Sequence, residues 1–211
     1  MIKIQSVICG TICRDAVITT NDKGISNLEF SLRVGLASQS DANASVIIPV
    51  VVNDGKREDQ KDYIRGNRIV MEGNLLVHKA DDEYVLVLRD ATPKLAYCVP
   101  SQDSISGDLT FTGRVKDPQE KTDKRGMPYL VLSAYSPTKT DDAKDKWEYI
   151  WFHFKRFPVK GSAITDIFPE WLKDGVDVEI LGDINITSYN GRLNLSSRIL
   201  EMAQKKAENE Q

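Results

Sequence analysis

The sequence contains few of the residues that build metal sites and disulfide frameworks. Its 211 residues include three cysteines, at Cys9, Cys13 and Cys98, and two histidines. An odd number of cysteines without a CxxC pair argues against a disulfide framework and favours reduced thiols. Two histidines also leave few ligands for zinc. We therefore predict no metal and no cofactor.

Long apolar runs and the usual catalytic motifs are missing as well. No stretch of 18 apolar residues occurs, which argues against a transmembrane helix. The first residues lead directly into strand-like sequence without the apolar core of a signal peptide, so we expect a cytoplasmic protein that does not associate with membranes. Because the sequence shows no glycine-rich phosphate loop and no nucleophile motif, we predict that it is not an enzyme.

An excess of positive charge is the third absence. The chain carries 28 Lys and Arg against 31 Asp and Glu, a net charge of −3. A uniformly basic nucleic-acid-binding protein would show the opposite balance. Any anionic partner must therefore be held by a local basic patch, helped by contacts that are not ionic.

An internal repeat is the most informative feature that is present. Residues 63–75 and 171–184 each begin with an aromatic-aliphatic-basic triplet, followed by a glycine, an alternating strand and a second glycine seven residues after the first. Each copy lies within a segment whose length is about that of one small domain. We predict a first domain at 1–98, a linker at 99–106, a second domain at 107–203 and a polar tail at 204–211.

Each copy has the strand order of a small barrel. Apolar residues alternate with polar ones in the second strands, as at Leu28, Phe30, Leu32 and Val34, which is typical of half-buried strands. Short helices are expected at 56–65 and 161–173, and Asn190-Gly191 predicts a tight hairpin. Five strands with a helix between the third and the fourth is the order of the OB-fold, a Greek-key barrel. The predicted fold class is all-β, with two tandem OB-folds.

Several motifs in this order resemble the bacterial-type single-stranded-DNA-binding protein (SSB) family. The resemblance is carried by the opening strands (10–15 and 113–118) and by the second strand of copy one (27–32). The ends of the expected helices (63–66 and 171–175) and the third strand of copy two (148–152) also match the family pattern. The resemblance implies sequence-non-specific binding of single-stranded DNA during replication, recombination or repair. It also implies assemblies of four OB domains and hence a homodimer, with a monomer left open.

One part of the family pattern is missing. The chain ends at Glu210-Gln211 without the acidic, Phe-terminated tip that recruits other replication proteins in this family. We therefore expect no recruitment of that kind, and the sequence leans towards a phage or mobile element rather than a chromosomal origin.

The candidate DNA-binding residues lie mainly in the second copy. On its third strand Tyr149, Trp151, His153 and Lys155 share one face, and Ile150, Phe152 and Phe154 share the core face. Base-stacking aromatics and cations along the phosphates are what binding without sequence preference requires. The predicted DNA-binding set is Tyr149, Trp151, His153, Lys155, Arg156, Tyr135, Tyr129, Lys116, Lys124, Arg125, Tyr189, Arg192, Arg114, Trp147 and Arg33.

The first copy has fewer aromatics and a continuous apolar run at 46–52. Val46, Ile48 and Val50 are expected at the positions of Tyr149, Trp151 and His153, which would expose an apolar face typical of an interface. This copy is expected mainly to pack, against the second copy or a second chain. On the second-chain alternative, Ile48→Lys should lower the sedimentation mass.

Two other interpretations stay open at this point. Tyr149 and Trp151 also fit a protein-facing surface, as in an OB-fold adaptor of a phage or mobile-element complex. RNA is a further possible ligand, because OB-folds bind either nucleic acid. Trp171, at the end of the expected second helix, is predicted to be core.

Overall fold

The computed structural model describes residues 1–20, 24–94, 99–141, 146–158 and 167–205. The first half of the chain forms β1 (Ile2–Thr20), β2 (Ser26–Gly35), β3 (Ser45–Asn53), a 3-10 helix (Arg57–Asp62), β4 (Arg68–Ala80) and β5 (Glu83–Pro93). The second half forms β6 (Ser104–Thr122), β7 (Pro128–Asp141), β8 (Lys146–Arg156), β9 (Asp177–Tyr189) and β10 (Arg192–Gln204).

Two closed barrels account for all of these strands. The first runs β2-β3-β5-β4-β1 and closes through pairing of β1 with β2. The second runs β6-β7-β8-β10-β9 and closes through pairing of β6 with β9. In each barrel the third strand pairs in parallel with the fifth, β3 with β5 and β8 with β10. The prediction of an all-β protein with tandem OB-folds is confirmed.

Two compact units divide the chain. The first-barrel unit comprises Ile4–Gly107 and Ile186–Asn194, and the second-barrel unit comprises Met1–Lys3, Asp108–Asn185 and Leu195–Gln211. The tip of the β9–β10 hairpin thus belongs with the first barrel. There the Ser188 N–H donates to the Ala37 carbonyl at 3.0 Å, and the Asn190 N–H donates to Ser40 Oγ at 3.0 Å.

The predicted linker at 99–106 is in part regular structure. Its last three residues are the first three of β6. Asp103 also accepts a hydrogen bond from Arg68 in an ion pair of 2.6 Å, and its Oδ2 accepts one from the Gly35 N–H at 2.7 Å. This segment is therefore tied to the first barrel by its own polar contacts.

Both glycines of the repeat have a backbone role. Gly66 and Gly175 have φ values of 95° and 83°, which only glycine adopts without strain. A Cβ on Gly73 or Gly182 would collide with a backbone carbonyl of the neighbouring strand, that of Arg89 or Arg198. The repeat is therefore the same turn and the same close approach, built twice.

The helical segments are less regular than the sequence suggested. In the first copy the helix is the short 3-10 segment Arg57–Asp62, followed by Tyr63, which is buried and packs on Phe30 with ring centroids 4.9 Å apart. In the second copy, residues 161–166 of the expected helix lie outside the described residues. The prediction that Trp171 is core is wrong, because Trp171 is only partly buried and Leu172, at 2% exposure, takes the core position.

The core of the second barrel is aromatic. Phe111, Phe152 and Phe154 are fully buried, with ring centroids 5.0–5.9 Å apart. Pairs at such distances each contribute about 0.5–1.5 kcal/mol beyond their burial. Together with fully buried Ile150, they fix which face of β8 points inward.

The predicted register of β3 is wrong by one residue. Ile48 and Val50 are fully buried, opposite Leu32 and Phe30 of β2. Since side chains alternate between the faces of a strand, a one-residue slip exchanges inside and outside. Ile47 is instead the outward residue, at 54% exposure.

In the described part of the chain, no helix has the length and apolar composition needed to cross a bilayer.

Candidate nucleic-acid interface

The outer surface of β7 and β8 carries seven of the fifteen predicted residues. We define the aromatic face as the outward residues of these strands and of the position after β8: Tyr129, Val131, Ser133, Tyr135, Trp147, Tyr149, Trp151, His153, Lys155 and Phe157. Along β8 each of these residues alternates with a core residue or a partly buried one, as the period of two predicts. Four of its rings are 38–51% exposed, those of Trp147, Tyr149, Trp151 and Phe157.

Three aromatic rings pack against one another at the centre of this face. Tyr135 lies directly opposite Trp151 in the β7–β8 register. Its ring centroid is 4.8 Å from that of Trp151 and 5.4 Å from that of Tyr149, the latter edge-on at 85°. These contacts fix the ring orientations, while Tyr149 and Trp151 stay 51% and 38% exposed. The cluster therefore presents oriented aromatic rings whose surface is partly exposed.

A second aromatic pair lies further along the same face. Tyr129 and Phe157 stack with centroids 5.4 Å apart and planes 18° apart. Phe157 was not among the candidate DNA-binding residues predicted from the sequence. Its position could have been found, because Trp151, His153, Lys155 and Phe157 follow one another at every second position. At about 3.3 Å per residue, Phe157 lies about 20 Å along the strand from Trp151.

Polar side chains fill the space between the two aromatic groups. Ser133 Oγ lies 3.0 Å from His153 Nδ1, and Lys155 follows on the same face. On the neighbouring strands, Lys116 of β6 is paired in register with Ser133, and Arg198 of β10 with Lys155. Cations therefore border the aromatics on both sides.

Three of the bordering cations are already bound to carboxylates. Arg114 donates to both carboxylate oxygens of Asp177, at 3.0 and 3.3 Å, and Lys116 donates to Asp174 at 2.9 Å. Arg198, which the sequence did not single out, donates to Asp183 at 2.8 Å.

The ion pairs shift the pKa values of Arg114, Lys116 and Asp174 in the direction that keeps these groups charged. The hydrogen bond and the charge of Asp177 raise the pKa of Arg114, and those of Asp174 raise the pKa of Lys116. The pKa of Asp174 is lowered by Lys116 and by the backbone N–H of Asp117. Arg114, Lys116 and Asp174 therefore remain charged at neutral pH.

Four other predicted cations differ in this respect. Among the described residues, Lys155, Arg156, Lys124 and Arg125 take part in no ion pair. Lys124 and Arg125 lie in the exposed turn between β6 and β7, which Asp123 holds by accepting the Arg125 and Met127 N–H groups at 2.8 Å. The carboxylate thus orders the turn through its backbone and leaves both side chains exposed.

Structural comparison finds a solved protein whose structure matches along nearly the whole chain. The wild-type single-stranded DNA binding protein from Thermus aquaticus covers 99% of this chain and 95% of its own, at 13% identity and a TM-score of 0.51. A deletion mutant of that protein covers 96% and 94%, at 13% identity and a TM-score of 0.50. The chain has the fold of an SSB. No protein-family model matches it, and no curated protein matches its sequence.

Not every predicted residue of this SSB-like chain lies on the second barrel. Tyr189, at 60% exposure, and Arg192 lie in the hairpin tip that belongs to the first-barrel unit. Arg33 also lies in that unit, exposed on β2. These three residues therefore belong to a different unit from the aromatic face.

The two SSB-like barrels present different chemistry at matching positions. Gly10 in the opening strand of the first copy lies close to the carbonyl of Arg33, and Gly113 in the opening strand of the second copy lies close to the carbonyl of Tyr135. Arg33 and Tyr135 therefore occupy corresponding positions. Arg33 opposes Ile47, as Tyr135 opposes Trp151. By this register the outward row of β3 is Ser45, Ile47, Pro49 and Val51, where β8 has Tyr149, Trp151, His153 and Lys155. The row on β3 has no aromatic and no cation.

Among the described residues, no group of three or more His, Cys, Asp or Glu side chains is arranged to hold a metal ion.

Proposed function

We propose that this protein binds single-stranded DNA without sequence preference, through the aromatic face of its second barrel. The observation that carries the proposal is the cluster of Tyr135, Tyr149 and Trp151, which is packed and oriented yet leaves ring surface exposed. The fold shared with the Thermus aquaticus protein supports it. The role is to coat and protect exposed strands during replication, recombination or repair, without catalysis.

Stacking is the dominant contribution on this surface. A stacked base is worth about 1–3 kcal/mol, so two or three platforms outweigh the weak attraction of a chain with net charge −3. Phosphates would be held by Lys155 of the aromatic face and by Lys124 and Arg125 of the turn between β6 and β7, whereas Arg156 follows on the opposite face of β8. An OB-fold of this kind covers about 4–16 nucleotides.

The first barrel is proposed to hold two chains together as a homodimer. The outward row of β3 is apolar at Ile47, Pro49 and Val51, and exposed Val17 lies on the same side, since Val17 and Val51 both pair in register with Glu29. An exposed apolar patch rimmed by polar residues is typical of a protein–protein interface.

Tryptophan fluorescence tests the ligand class directly. Titration with oligo-dT should strongly quench the emission, since Trp147 and Trp151 are exposed on the proposed face, and the quenching should largely survive a higher salt concentration. Matched duplex DNA should quench weakly, and oligo-U provides the comparison with RNA. No quenching by any of the three would favour the adaptor interpretation, and stronger quenching by oligo-U would favour RNA.

A further inference from the structure

Two cations close to the cluster of Tyr135, Tyr149 and Trp151 already form ion pairs with carboxylates. They are Arg114 and Lys116. Arg114 is opposite Tyr135, which is opposite Trp151, so two strand spacings of about 4.8 Å separate Arg114 from the tryptophan. Lys116 lies one row further along, opposite Ser133. A phosphate attached to a base on Trp151 would be within reach of these two side chains.

We propose that Asp174 and Asp177 act as internal competitors of the DNA phosphates, by holding Lys116 and Arg114 in ion pairs that must break before either cation binds the strand. The inference rests on the proposed function of the aromatic face. The two carboxylates would then lower the affinity of the protein for single-stranded DNA and reduce the dependence of that affinity on salt concentration.

Counterion release explains why such competition matters. Each phosphate neutralised by a cation adds about −0.7 to the slope of log K against log salt on single strands. A cation that stays paired with its carboxylate neutralises no phosphate and so releases no counterion from the DNA. The second barrel should therefore bind with a shallower salt slope than its number of bordering cations suggests.

The geometry allows each carboxylate to be neutralised with little structural change. Asp174 Oδ1 accepts the backbone N–H of Asp117 at 3.0 Å, and the side-chain carbonyl of an asparagine can accept the same bond. Asp177 is exposed on β9. Asp174→Asn and Asp177→Asn thus remove the charge that holds the cation and retain the shape.

Each of these variants should bind oligo-dT more tightly than the wild type. An exposed ion pair is worth up to about 1 kcal/mol, so its loss should tighten binding by about two- to fivefold at low salt. The salt slope should steepen by about 0.7 for each cation that is freed. Titration of a labelled oligo-dT at four salt concentrations measures both quantities.

Glu179→Gln is the matched control. It removes one negative charge from an exposed position of the same strand, two residues from Asp177, and Glu179 makes no ion pair within the described residues. The double variant Lys116→Gln with Asp174→Asn is the second control, because it lacks the cation that would be freed. Both should lack the steeper slope of Asp174→Asn.

Three outcomes would overturn the inference. They are an unchanged slope in both Asp variants, an equal gain in Glu179→Gln, and a gain in Asp174→Asn that persists in the double variant. If the wild type binds oligo-dT normally in these cases, the proposed function stands and only the competition is refuted. A wild type that fails to bind at all refutes both.

Discussion

Trp151→Ala should weaken binding of oligo-dT by about 5- to 150-fold, the equivalent of one stacked base at about 1–3 kcal/mol. Trp151 is 38% exposed, and its ring lies 4.8 Å from that of Tyr135, so the substitution removes a platform and loosens its neighbour. Fluorescence anisotropy of a labelled oligonucleotide gives the dissociation constant without using protein emission.

Two further variants make this result specific. Trp151→Phe keeps an aromatic ring on the same backbone and should recover most of the affinity. Leu181→Ala removes a side chain of similar exposure, 44%, from β9 of the same barrel and should bind as the wild type does. Trp151→Ala binding within twofold of the wild type, with an unchanged thermal melt, would contradict the stacking proposal.

Ile48→Lys should unfold the first barrel, with a loss of more than about 4 kcal/mol in the free energy of unfolding. Ile48 is fully buried opposite Leu32, and a lysine there would place a charge in an apolar core without a partner. Ile47→Lys introduces the same residue one position earlier, at 54% exposure, and should leave the first barrel folded, because this lysine lies outside the barrel core. Urea denaturation of both variants measures the difference, and equal stability would contradict the register of β3.

The same Ile47→Lys variant tests the proposed dimer. A lysine in the outward apolar row of β3 should lower the sedimentation mass while the second barrel continues to bind oligo-dT. A wild type that sediments as a dimer and a variant of unchanged mass would together exclude this strand as the interface.

The inward and outward faces were predicted correctly for β8 and incorrectly for β3. Both results depend on whether polar residues alternate with apolar ones along the strand. In β8 aromatic core residues alternate with Tyr149, Trp151, His153 and Lys155, and among these the polar residues mark the outside. In β3 the outward Ile47 and Val51 are as apolar as the buried Ile48 and Val50. A strand that is apolar on both faces gives no period of two, so its register depends on the pairing with β2.

Contacts between residues far apart in the sequence could not be predicted either. The ion pairs Lys116–Asp174 and Arg114–Asp177 join residues 58 and 63 positions apart. The membership of the β9–β10 tip in the first-barrel unit likewise depends on hydrogen bonds to residues 37–40. No local pattern encodes such pairs, whereas the repeated glycines, which act through their own backbone, were readable from the chain alone.

Photocrosslinking with an oligonucleotide that carries 5-iodouracil tests most directly where the strand lies. Peptide mapping should find the crosslinks on β7 and β8, concentrated at Tyr135, Tyr149 and Trp151, because iodouracil reacts with the aromatic rings on which it stacks. Crosslinks confined to the first barrel, or efficient binding with none on β7 or β8, would contradict the assignment of DNA binding to the aromatic face.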